Sequence, residues 1–449
     1  MSRARPGASA RDVAAVVLAR VERDGAFASA ALDAELSRTV QLDARDRAFA
    51  TELVYGALRV LPWLRGEIER FAPRGIDSLD PRVRADLLVA AYQLFFTRVP
   101  AFASVSEAVG AVKRHGGARV AAFANAALRK LASRAASVDD AAREDAIVAS
   151  APLWLREALE RALSPSGARA FLACGAEPPP VTLRVEQTSE RELWIERLRA
   201  SAPDATFEPG RVSPLAIVVR GAGKPQRLPG WKEGAWSVQE EGSQVAALAV
   251  GARAGDVVLD ACAGRGNKTA VLARAVGPSG AVDACDASVQ KLERLAAELA
   301  RVGLHARAAH PVDWRAGSGD VAGVYDRVLV DAPCTGVGTL RRRPEIALRR
   351  ERVDLAAMAR TQLAIASRAA EHVRPGGALV YVVCSVLREE CEDLVEALVK
   401  ARPELTPAPF ESSAARDVCG EAASFRLLPH VHATDGYFVA NLRSKRGRA

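Results

Sequence analysis

The sequence predicts a multidomain protein with an all-α N-terminal domain, a small α/β insert and a C-terminal doubly wound α/β domain. At 449 residues the chain is too long for one ordinary hydrophobic core. Apolar residues recur at helical spacing in the first third of the chain, whereas short apolar runs alternate with amphipathic helices after Trp236. Between these zones, the run Glu177-Pro178-Pro179-Pro180 indicates a stiff linker.

The helical periodicity begins near Arg11 and continues to about Leu131, with prolines as breaks. This pattern predicts five to seven helices. In the insert, residues 182–185 and 215–219 are predicted strands that flank a helix at 191–200. The domain boundaries that we expect are 1–138 for the helical domain, 139–180 for a helical linker, 181–236 for the insert and 237–449 for the last domain.

Composition narrows the class of protein. Hydrophobic residues make up 49% of the chain and charged residues 26%, which is typical of globular domains. No apolar run is long enough for a bilayer span, and the N-terminus lacks the apolar core of a secretion signal. The seven cysteines are scattered without a Cys-x-x-Cys pair, so we expect neither a disulfide framework nor a metal site. This cysteine usage predicts a protein of the reducing cytoplasm. A net charge of +8 fits a polyanionic partner, although an arginine-rich composition can produce it alone.

Four acidic residues follow four successive predicted strands in the last domain. Asp260 ends the first strand and precedes a glycine-rich segment, 261–268, that leads into a helix. Such a turn lets the backbone approach a ligand closely, and the helix N-terminus favours an anion. Asp286, Asp313 and Asp331 end the next three runs. Singly, each acid is more often a helix cap or a solvated loop residue; as an ordered set they predict a cleft for a nucleoside cofactor.

Two cysteines also end apolar runs. Cys334 closely follows the strand that ends at Asp331, and Cys384 follows the run 378–383. Both are therefore expected at the carboxyl edge of the sheet, where open α/β sheets bind ligands. One thiolate there could attack a ring carbon while a second thiol manages protons. The alternative is a pair of inert core cysteines.

Three segments of the last domain resemble a known family. Residues 260–269, 331–339 and 381–385 resemble motifs I, IV and VI of the RNA 5-methylcytosine methyltransferases. The first 131 residues, including 48–56 and 123–130, resemble the helical NusB-type RNA-binding domain. The two together are the arrangement of bacterial 16S rRNA cytosine-5 methyltransferases of the RsmB (Sun/Fmu) type. The resemblance implies a Rossmann-like class I methyltransferase domain, S-adenosylmethionine as cofactor and 16S ribosomal RNA as partner.

The resemblance also implies roles for individual residues. Asp286 would hold the ribose of the cofactor, Asp313 would contact the adenine side, and Asp331 would lie between cofactor and target base. Cys384 would be the catalytic nucleophile, and Cys334 would assist release of the product. The methionine and ribose part of the cofactor would be lined by the motif I residues Cys262, Ala263, Gly264, Arg265, Gly266, Asn267 and Lys268.

The chain departs from the family in motif I, where Arg265 and Asn267 replace the usual proline and glycine. Asparagine tolerates a positive φ better than most residues, so we expect Asn267 to preserve the turn. A second departure is Arg388, which stands where the family often has a proline after the motif VI cysteine.

Methylation of cytosine at C5 independently requires a nucleophilic thiolate and groups that handle protons. C5 is a poor nucleophile, so a thiolate must first add to C6 to produce an enamine that accepts the methyl group. Asp331 could stabilise N3 during this addition, and Cys334 could help to remove the C5 proton before Cys384 leaves. Because the reacting carbons lie in the base plane, the cytidine must be unpaired or extruded.

Arginines directly after motif IV are candidates for contacts with RNA phosphates, at 341–343 and 349–352. The alternative for such a run is a solvated helix face. Two further alternatives concern the whole chain: a catalytically weak RNA-binding ribosome-assembly factor, and a cytosine-5 methyltransferase that acts on tRNA. We expect a monomer without membrane partners.

Overall fold

The computed structural model describes residues 8–72 and 74–445. The chain forms two compact units. Unit 1 contains the described residues up to Glu160, together with Pro165–Pro178 and Leu340–Arg349. Unit 2 contains Arg161–Ser164, Pro179–Thr339 and the described residues from Arg350 onward. In the ranges that the structure describes, no helix is long and apolar enough to cross a bilayer.

Unit 1 is helical. Six helices lie in the described part of the zone where five to seven were predicted, and α6 bends at Gly117, whose φ is 80°. Two more helices complete the N-terminal part of the chain. The eight are α1 (Ala10–Asp24), α2 (Ala28–Arg38), α3 (Ala44–Arg59), α4 (Leu61–Glu69), α5 (Pro81–Phe96), α6 (Ala101–Ala135), α7 (Asp140–Ala149) and α8 (Leu153–Ala173).

Local sequence explains where these helices begin. Ser9 and Asp12 form a capping box at the start of α1, and Asp43 and Asp139 accept backbone hydrogen bonds at the starts of α3 and α7. Helix α5 is buried on nearly every side, including Leu87, which is fully buried, because α1, α3, α4 and α6 all contact it.

Unit 2 begins with the insert, a small antiparallel sheet with one helix. Its elements are β1 (Val181–Val185), α9 (Arg191–Ser201), β2 (Thr206–Pro209), β3 (Ala216–Arg220) and β4 (Trp236–Val238). The strand order is β2-β3-β1-β4. The strands predicted at 182–185 and 215–219 and the helix at 191–200 are confirmed, while β2 and β4 were not predicted. Trp236 of β4 is fully buried in the core of this sheet.

The remainder of the described chain builds a doubly wound domain, and the predicted fold class is confirmed. Its helices are α10 (Glu241–Leu248), α11 (Asn267–Val276), α12 (Val289–Arg301), α13 (Glu345–Arg349), α14 (Arg352–Ala369), α15 (Glu392–Ala401), α16 (Ser413–Cys419) and α17 (Pro429–His432), of which α13 lies in unit 1. Its strands are β5 (Val257–Asp260), β6 (Ala281–Asp286), β7 (Ala308–Pro311), β8 (Tyr325–Asp331), β9 (Val373–Val383), β10 (Leu405–Pro407), β11 (Ser424–Leu427) and β12 (Tyr437–Ser444).

The sheet is parallel over most of its width and antiparallel at one edge. The order is β10-β12-β9-β8-β5-β6-β7, with β11 also paired to β12. Strands β5 to β9 run parallel, whereas β12 is antiparallel to β9, β10 and β11. The antiparallel edge was not predicted, because a short apolar run does not indicate whether the strand pairs with its neighbour in a parallel or an antiparallel direction.

Both faces of the sheet are covered. Alternate residues of the central strands point to opposite faces, so Val328, Val330 and Tyr381 pack on the side of α14 and α15, and Leu329 and Val382 pack on the other side. This two-sided burial explains the continuous apolar runs. The strand order reverses between β5 and β8, and a doubly wound sheet binds its ligand at such a switch point, beside the carboxyl ends of the strands.

Candidate active site

The loop after β5 is shaped by two glycines. Gly264 and Gly266 have φ values of 57° and 87°, in the left-handed region that other residues rarely adopt. A Cβ atom on Gly266 would lie 2.8 Å from Leu295 Cγ, so this glycine allows α11 and α12 to pack closely. Beside Gly264, no atom of the described residues comes within 4 Å of the corresponding position. The loop therefore presents an open backbone surface at the start of α11.

The expectation for Asn267 is corrected by the structure. Asn267 is the first residue of α11 and has helical backbone, so the turn does not depend on its tolerance of positive φ. The two positive φ values belong instead to Gly264 and Gly266. The start of the helix is supported by Arg184 of β1, which is 1% exposed and donates from Nη1 to Asn267 O at 2.9 Å. Arg265, the other departure, is exposed.

Asp260 lies at the end of β5 and is fully buried. Its Oδ2 accepts a hydrogen bond from Thr269 Oγ1 at 2.7 Å. Burial raises the pKa of Asp260 to about 7, since the charged form is poorly solvated there. This carboxyl group therefore holds the glycine-rich loop from beneath instead of facing the cleft.

Asp286 lies at the end of β6, and its carboxylate is held by backbone groups. Oδ2 accepts from Gly264 N at 3.1 Å, and Oδ1 accepts from Ser288 N at 2.9 Å. Lys291 Nζ lies 3.2 Å from Oδ2. A carboxylate has about four lone-pair sites, so this fixed group retains capacity for ribose hydroxyls.

Asp313, two residues beyond β7, has a more exposed position than the other three acids. Its side chain is 40% exposed and lies 2.7 Å from Arg315 Nη2. Hydrogen bonds from Arg315 lower the pKa of Asp313 to about 2. It is thus an ionised group at the rim of the carboxyl edge.

Asp331, at the end of β8, forms an ion pair with Lys268 of α11. Lys268 Nζ lies 2.6 Å from Asp331 Oδ2, and the two side chains are 10% and 29% exposed. Burial opposes the charged form of Lys268, but the charge and hydrogen bond of Asp331 outweigh it, and the pKa of Lys268 is raised. The Lys268 ammonium also lies 5.8 Å from the centroid of the Tyr437 ring. This pair brings motif I into contact with motif IV, which sequence spacing did not predict.

The two cysteines of the predicted site are in contact. Cys334 Sγ and Cys384 Sγ are separated by 3.2 Å, and both side chains are partly buried. The hydrogen bond with Cys384 and burial raise the pKa of Cys334 well above its ordinary value. Cys334 is therefore the thiol that keeps its proton. A partly buried pair at the strand tips of β8 and β9 differs from the inert core cysteines of the alternative, of which Cys285 and Cys391 are examples.

Three loops meet beneath the cysteines. Gly338 N donates to Cys384 O at 3.0 Å, and Gly436 N donates to Gly338 O at 2.8 Å. The approach is close enough that a Cβ atom on Gly338 would lie 2.0 Å from Gly436 O. The loops after β8 and β9 and the turn before β12 are thus joined through backbone hydrogen bonds.

Sequence reasoning missed three residues of this region. Glu240 Oε1 accepts from Asp435 N at 2.8 Å and fixes the turn before β12, and Tyr437 begins that strand beside Lys268. Glu390 is a fully buried carboxylate that accepts hydrogen bonds from the residues next to both cysteines. Glu240 and Tyr437 lie outside the three motif segments. Glu390 stands in a Glu-Glu pair, which has the pattern of a solvated helix start.

The arginines after motif IV differ in their exposure to solvent. Residues 340–349 belong to unit 1, where Glu345 is 2% exposed and accepts from Ala28 N at 3.2 Å. In the same segment, the Arg349 guanidinium lies 5.1 Å from the centroid of the Phe27 ring. Arg349 therefore makes contacts inside its own unit. Arg343 and Arg352 are exposed, and they remain the candidates for RNA contact.

Known proteins are similar to this chain along its length. Residues 247–443 match the family model of the 16S rRNA methyltransferase RsmB/F, and residues 8–133 match that of the NusB family. The probable ribosomal RNA small subunit methyltransferase B of Bacillus subtilis is 30% identical, over 97% of this chain and 99% of that protein. The ribosomal RNA small subunit methyltransferase B of Pseudomonas syringae pv. tomato is 31% identical, over 96% of both. The crystal structure of PH0851 has a TM-score of 0.80 and 24% identity, covering 97% of this chain and 99% of that one.

Proposed function

The chain belongs to the RsmB/F family of 16S rRNA methyltransferases, and on this premise we propose that it methylates C5 of a cytidine in 16S rRNA through a covalent cysteine adduct. The observation that carries the proposal is the pair of touching thiols, 3.2 Å apart, at the tips of β8 and β9. Cytosine-5 chemistry needs one thiolate and one proton-handling group on the same ring. The ion pair of Lys268 and Asp331 lies in the same part of the sheet and supplies further polar groups.

S-adenosylmethionine is the methyl donor of this family, and the residues at the switch point of the sheet fit it. The open backbone at Gly264 and the start of α11 suit the methionine carboxylate, and Asp331 would lie between the cofactor and the target base. Asp286 is positioned by backbone hydrogen bonds to accept from ribose hydroxyls. Asp313 would face the adenine side. When bound, the cofactor supplies an electrophilic methyl group.

The nucleophile that we assign is Cys384. An electrostatic interaction links Cys384 with the Lys268 ammonium, and the attack on the ring requires a thiolate. Cys334, which keeps its proton, can donate a hydrogen bond to this sulfur. The Cys384 thiolate adds to C6 of the cytosine, and the negative charge that develops on the ring extends to N3. Lys268 Nζ donates a hydrogen bond to Asp331 Oδ2, and this pair supplies the N–H donor that can stabilise N3.

Completion of the cycle requires loss of the C5 proton and then of the Cys384 sulfur. A water that the Cys334 thiol orients can accept the C5 proton, and Cys334 can donate its own proton to the Cys384 sulfur as that sulfur leaves. Expulsion of Cys384 restores the aromatic ring and frees the RNA. In this scheme Cys384 makes and breaks a covalent bond, while Cys334 and Asp331 only move or share protons.

The RNA contacts are assigned to the helical unit and to the exposed arginines Arg343 and Arg352. The whole chain acts in the cytoplasm, where its thiols stay reduced. The reaction is tested by incubating purified protein with S-adenosylmethionine and 16S rRNA or tRNA, followed by bisulfite mapping. A new protected cytidine in 16S rRNA is the expected outcome. Protection of a cytidine in tRNA alone would identify tRNA as the substrate in place of 16S rRNA. Protection in neither RNA would favour the alternative of a ribosome-assembly factor.

A further inference from the structure

Glu390 is a buried carboxylate that lies just before helix α15. Its side chain is fully buried and accepts four hydrogen bonds. Thr335 N donates to Oε1 at 2.8 Å and Gln362 Nε2 donates to the same oxygen at 2.9 Å. Thr335 Oγ1 and Ser385 Oγ both donate to Oε2. Every lone-pair site of this carboxylate thus has a donor.

The donors come from the residues that neighbour the two cysteines. Thr335 follows Cys334 in the chain, and Ser385 follows Cys384. The third donor, Gln362 of α14, also donates from Nε2 to Pro333 O at 2.9 Å, on the other side of Cys334. One carboxylate therefore joins the loop after β8 to the loop after β9, through the residues that follow the two cysteines.

Packing alone does not explain a carboxylate at this position. Burying a charge is costly, and the four donors that residues 8–72 and 74–445 supply to Glu390 are neutral, so no hydrogen-bonded cation in these ranges offsets the cost. An ionised carboxylate differs from an amide or a hydroxyl because it only accepts. It therefore forces both hydroxyl groups to point toward it, and hydrogen bonds to a charged acceptor are shorter and stronger than neutral ones.

We propose that Glu390 is a positioning residue, which sets the separation of Cys334 and Cys384 by anchoring the residue that follows each of them. The proposal rests on the proposed function in one respect only: the separation matters because the two thiols act on the same cytosine ring. Glu390 itself is fully buried, so its side chain is not accessible to RNA. Its charge also adds to the hydrogen bond and burial that raise the pKa of Cys334.

Three substitutions separate the effect of the Glu390 hydrogen bonds on the loops from the effect of the Glu390 charge. Glu390→Ala removes all four hydrogen bonds. Glu390→Gln can keep the network, because the amide oxygen can accept from Thr335 N and Gln362 while the amide nitrogen donates to the two hydroxyls. Asp393→Asn is the matched control, since this carboxylate of the following helix is 46% exposed and pairs with Arg388.

The separation of the thiols can be measured without RNA by binding of phenylarsine oxide to the full-length reduced protein. The trivalent arsenic atom forms two As–S bonds, two S–H bonds break, and the arsenical oxygen leaves as water, so tight binding requires two adjacent thiols. Loss of this binding in Cys334→Ala assigns it to the pair. We expect Glu390→Ala to weaken it about 100-fold, because a displacement of about 1 Å costs that much in reactions that depend on geometry. Glu390→Gln should lose no more than about tenfold, and Asp393→Asn should match the unchanged protein.

Methylation of 16S rRNA and affinity for S-adenosylmethionine complete the experiment. Glu390→Ala should reduce kcat while cofactor affinity, which depends on motif I and Asp286, stays the same. If Glu390→Ala does not fold, the double variant Thr335→Val/Ser385→Ala removes both hydroxyl anchors and decides the question by the same measurements. Arsenical affinity that is unchanged in these variants overturns the positioning role. If the unchanged protein binds the arsenical at the pair but modifies no cytidine, the proposed function fails and the positioning role stands.

Discussion

At the scale of single residues, Cys334 and Cys384 touch but are chemically unequal. Cys334 is held in its protonated form by the hydrogen bond with Cys384, by burial and by nearby negative charge. Cys384 interacts instead with the Lys268 ammonium. Two equivalent structural thiols would not have such different electrostatic surroundings. Replacing Cys334 and replacing Cys384 should therefore block different steps of the reaction.

The first prediction concerns this difference. Cys384→Ala removes the attacking thiolate, so neither methylation nor a covalent RNA complex should form. Cys334→Ala leaves attack and methyl transfer possible but hinders elimination, so methylated RNA should remain bonded to Cys384. The measurement is a denaturing gel with labelled RNA, and Cys419→Ala, at another partly buried thiol, is the control. An adduct that forms in Cys384→Ala and not in Cys334→Ala would reassign the nucleophile to Cys334.

The second prediction concerns the pH dependence of stability. Burial raises the folded-state pKa of Asp260 to about 7 from an ordinary value of 3.8. Because the folded state binds this proton more tightly, the stabilisation is complete below the ordinary pKa and is lost as the pH rises toward 7. At about 1.4 kcal/mol per pKa unit, the lost stability is on the order of 4 kcal/mol.

Asp260→Asn cannot ionise, yet its amide oxygen can still accept from Thr269. The variant should therefore gain stability relative to the unchanged protein as the pH rises from about 4 to about 7. Urea unfolding across this range, without cofactor, measures the difference, and the exposed Asp417→Asn is the control. A difference that does not vary with pH would show that Asp260 is already ionised throughout.

At the scale of elements, the site is built where three loops cross. The loops after β8 and β9 and the turn before β12 share the hydrogen bonds of Gly338 and Gly436, and β12 itself is antiparallel to β9. The antiparallel strand β12 thus also supports the loop that carries Cys384. The close approach leaves no room for a side chain at Gly338.

The third prediction tests this crossing. In Gly338→Ala, the new Cβ atom would lie 2.0 Å from Gly436 O and 2.9 Å from Cys384 O, so the loops must separate. We expect the free energy of unfolding to fall by about 1–3 kcal/mol, as in overpacked cores, and methylation to fall more steeply than cofactor affinity. Gly317→Ala is the control, since its Cβ would meet no described atom within 4 Å. Equal kinetics for the two variants would contradict the crossing as a determinant of the site.

At the scale of the whole molecule, the residues proposed for catalysis and the NusB-like helices lie in different units. The residues proposed for the cofactor and for chemistry lie in unit 2, and the NusB family match lies in unit 1. The exception is the segment 340–349, which follows the Cys334 loop in sequence but belongs to unit 1. Glu345 is buried there, and Leu348 packs against the helical core.

The fourth prediction follows from this division. The chain from Val181 to Ala449 keeps the residues proposed to bind S-adenosylmethionine, so its cofactor affinity should match that of the whole protein. Its methylation of 16S rRNA should be much slower at low RNA concentration, because the helical unit to which we assign RNA contacts is missing and residues 340–349 lose their packing partners. Calorimetry and initial rates measure the two properties. A truncated chain that methylates dilute RNA at the full rate would remove unit 1 from substrate binding.

Local sequence by itself determined the element types and the residues at the strand tips. Helical periodicity, capping residues such as Asp43 and Asp139, and short β-branched runs are local signals, and the predicted helices and the strand tips at Asp260, Asp286 and Asp331 agree with the structure. The apolar runs also placed Cys334 and Cys384 at the carboxyl edge of the sheet, because parallel strands end at the same edge.

The pairing of those residues depends on long-range contacts and was visible only in the folded protein. The contact of the two sulfur atoms, the ion pair of Lys268 with Asp331 and the burial of Glu390 join segments that are distant in the chain. The antiparallel edge of the sheet and the position of residues 340–349 in unit 1 are of the same kind. Periodicity records whether a residue is buried, but the partner of a buried charge or of an edge strand is set by long-range packing, which leaves no local pattern.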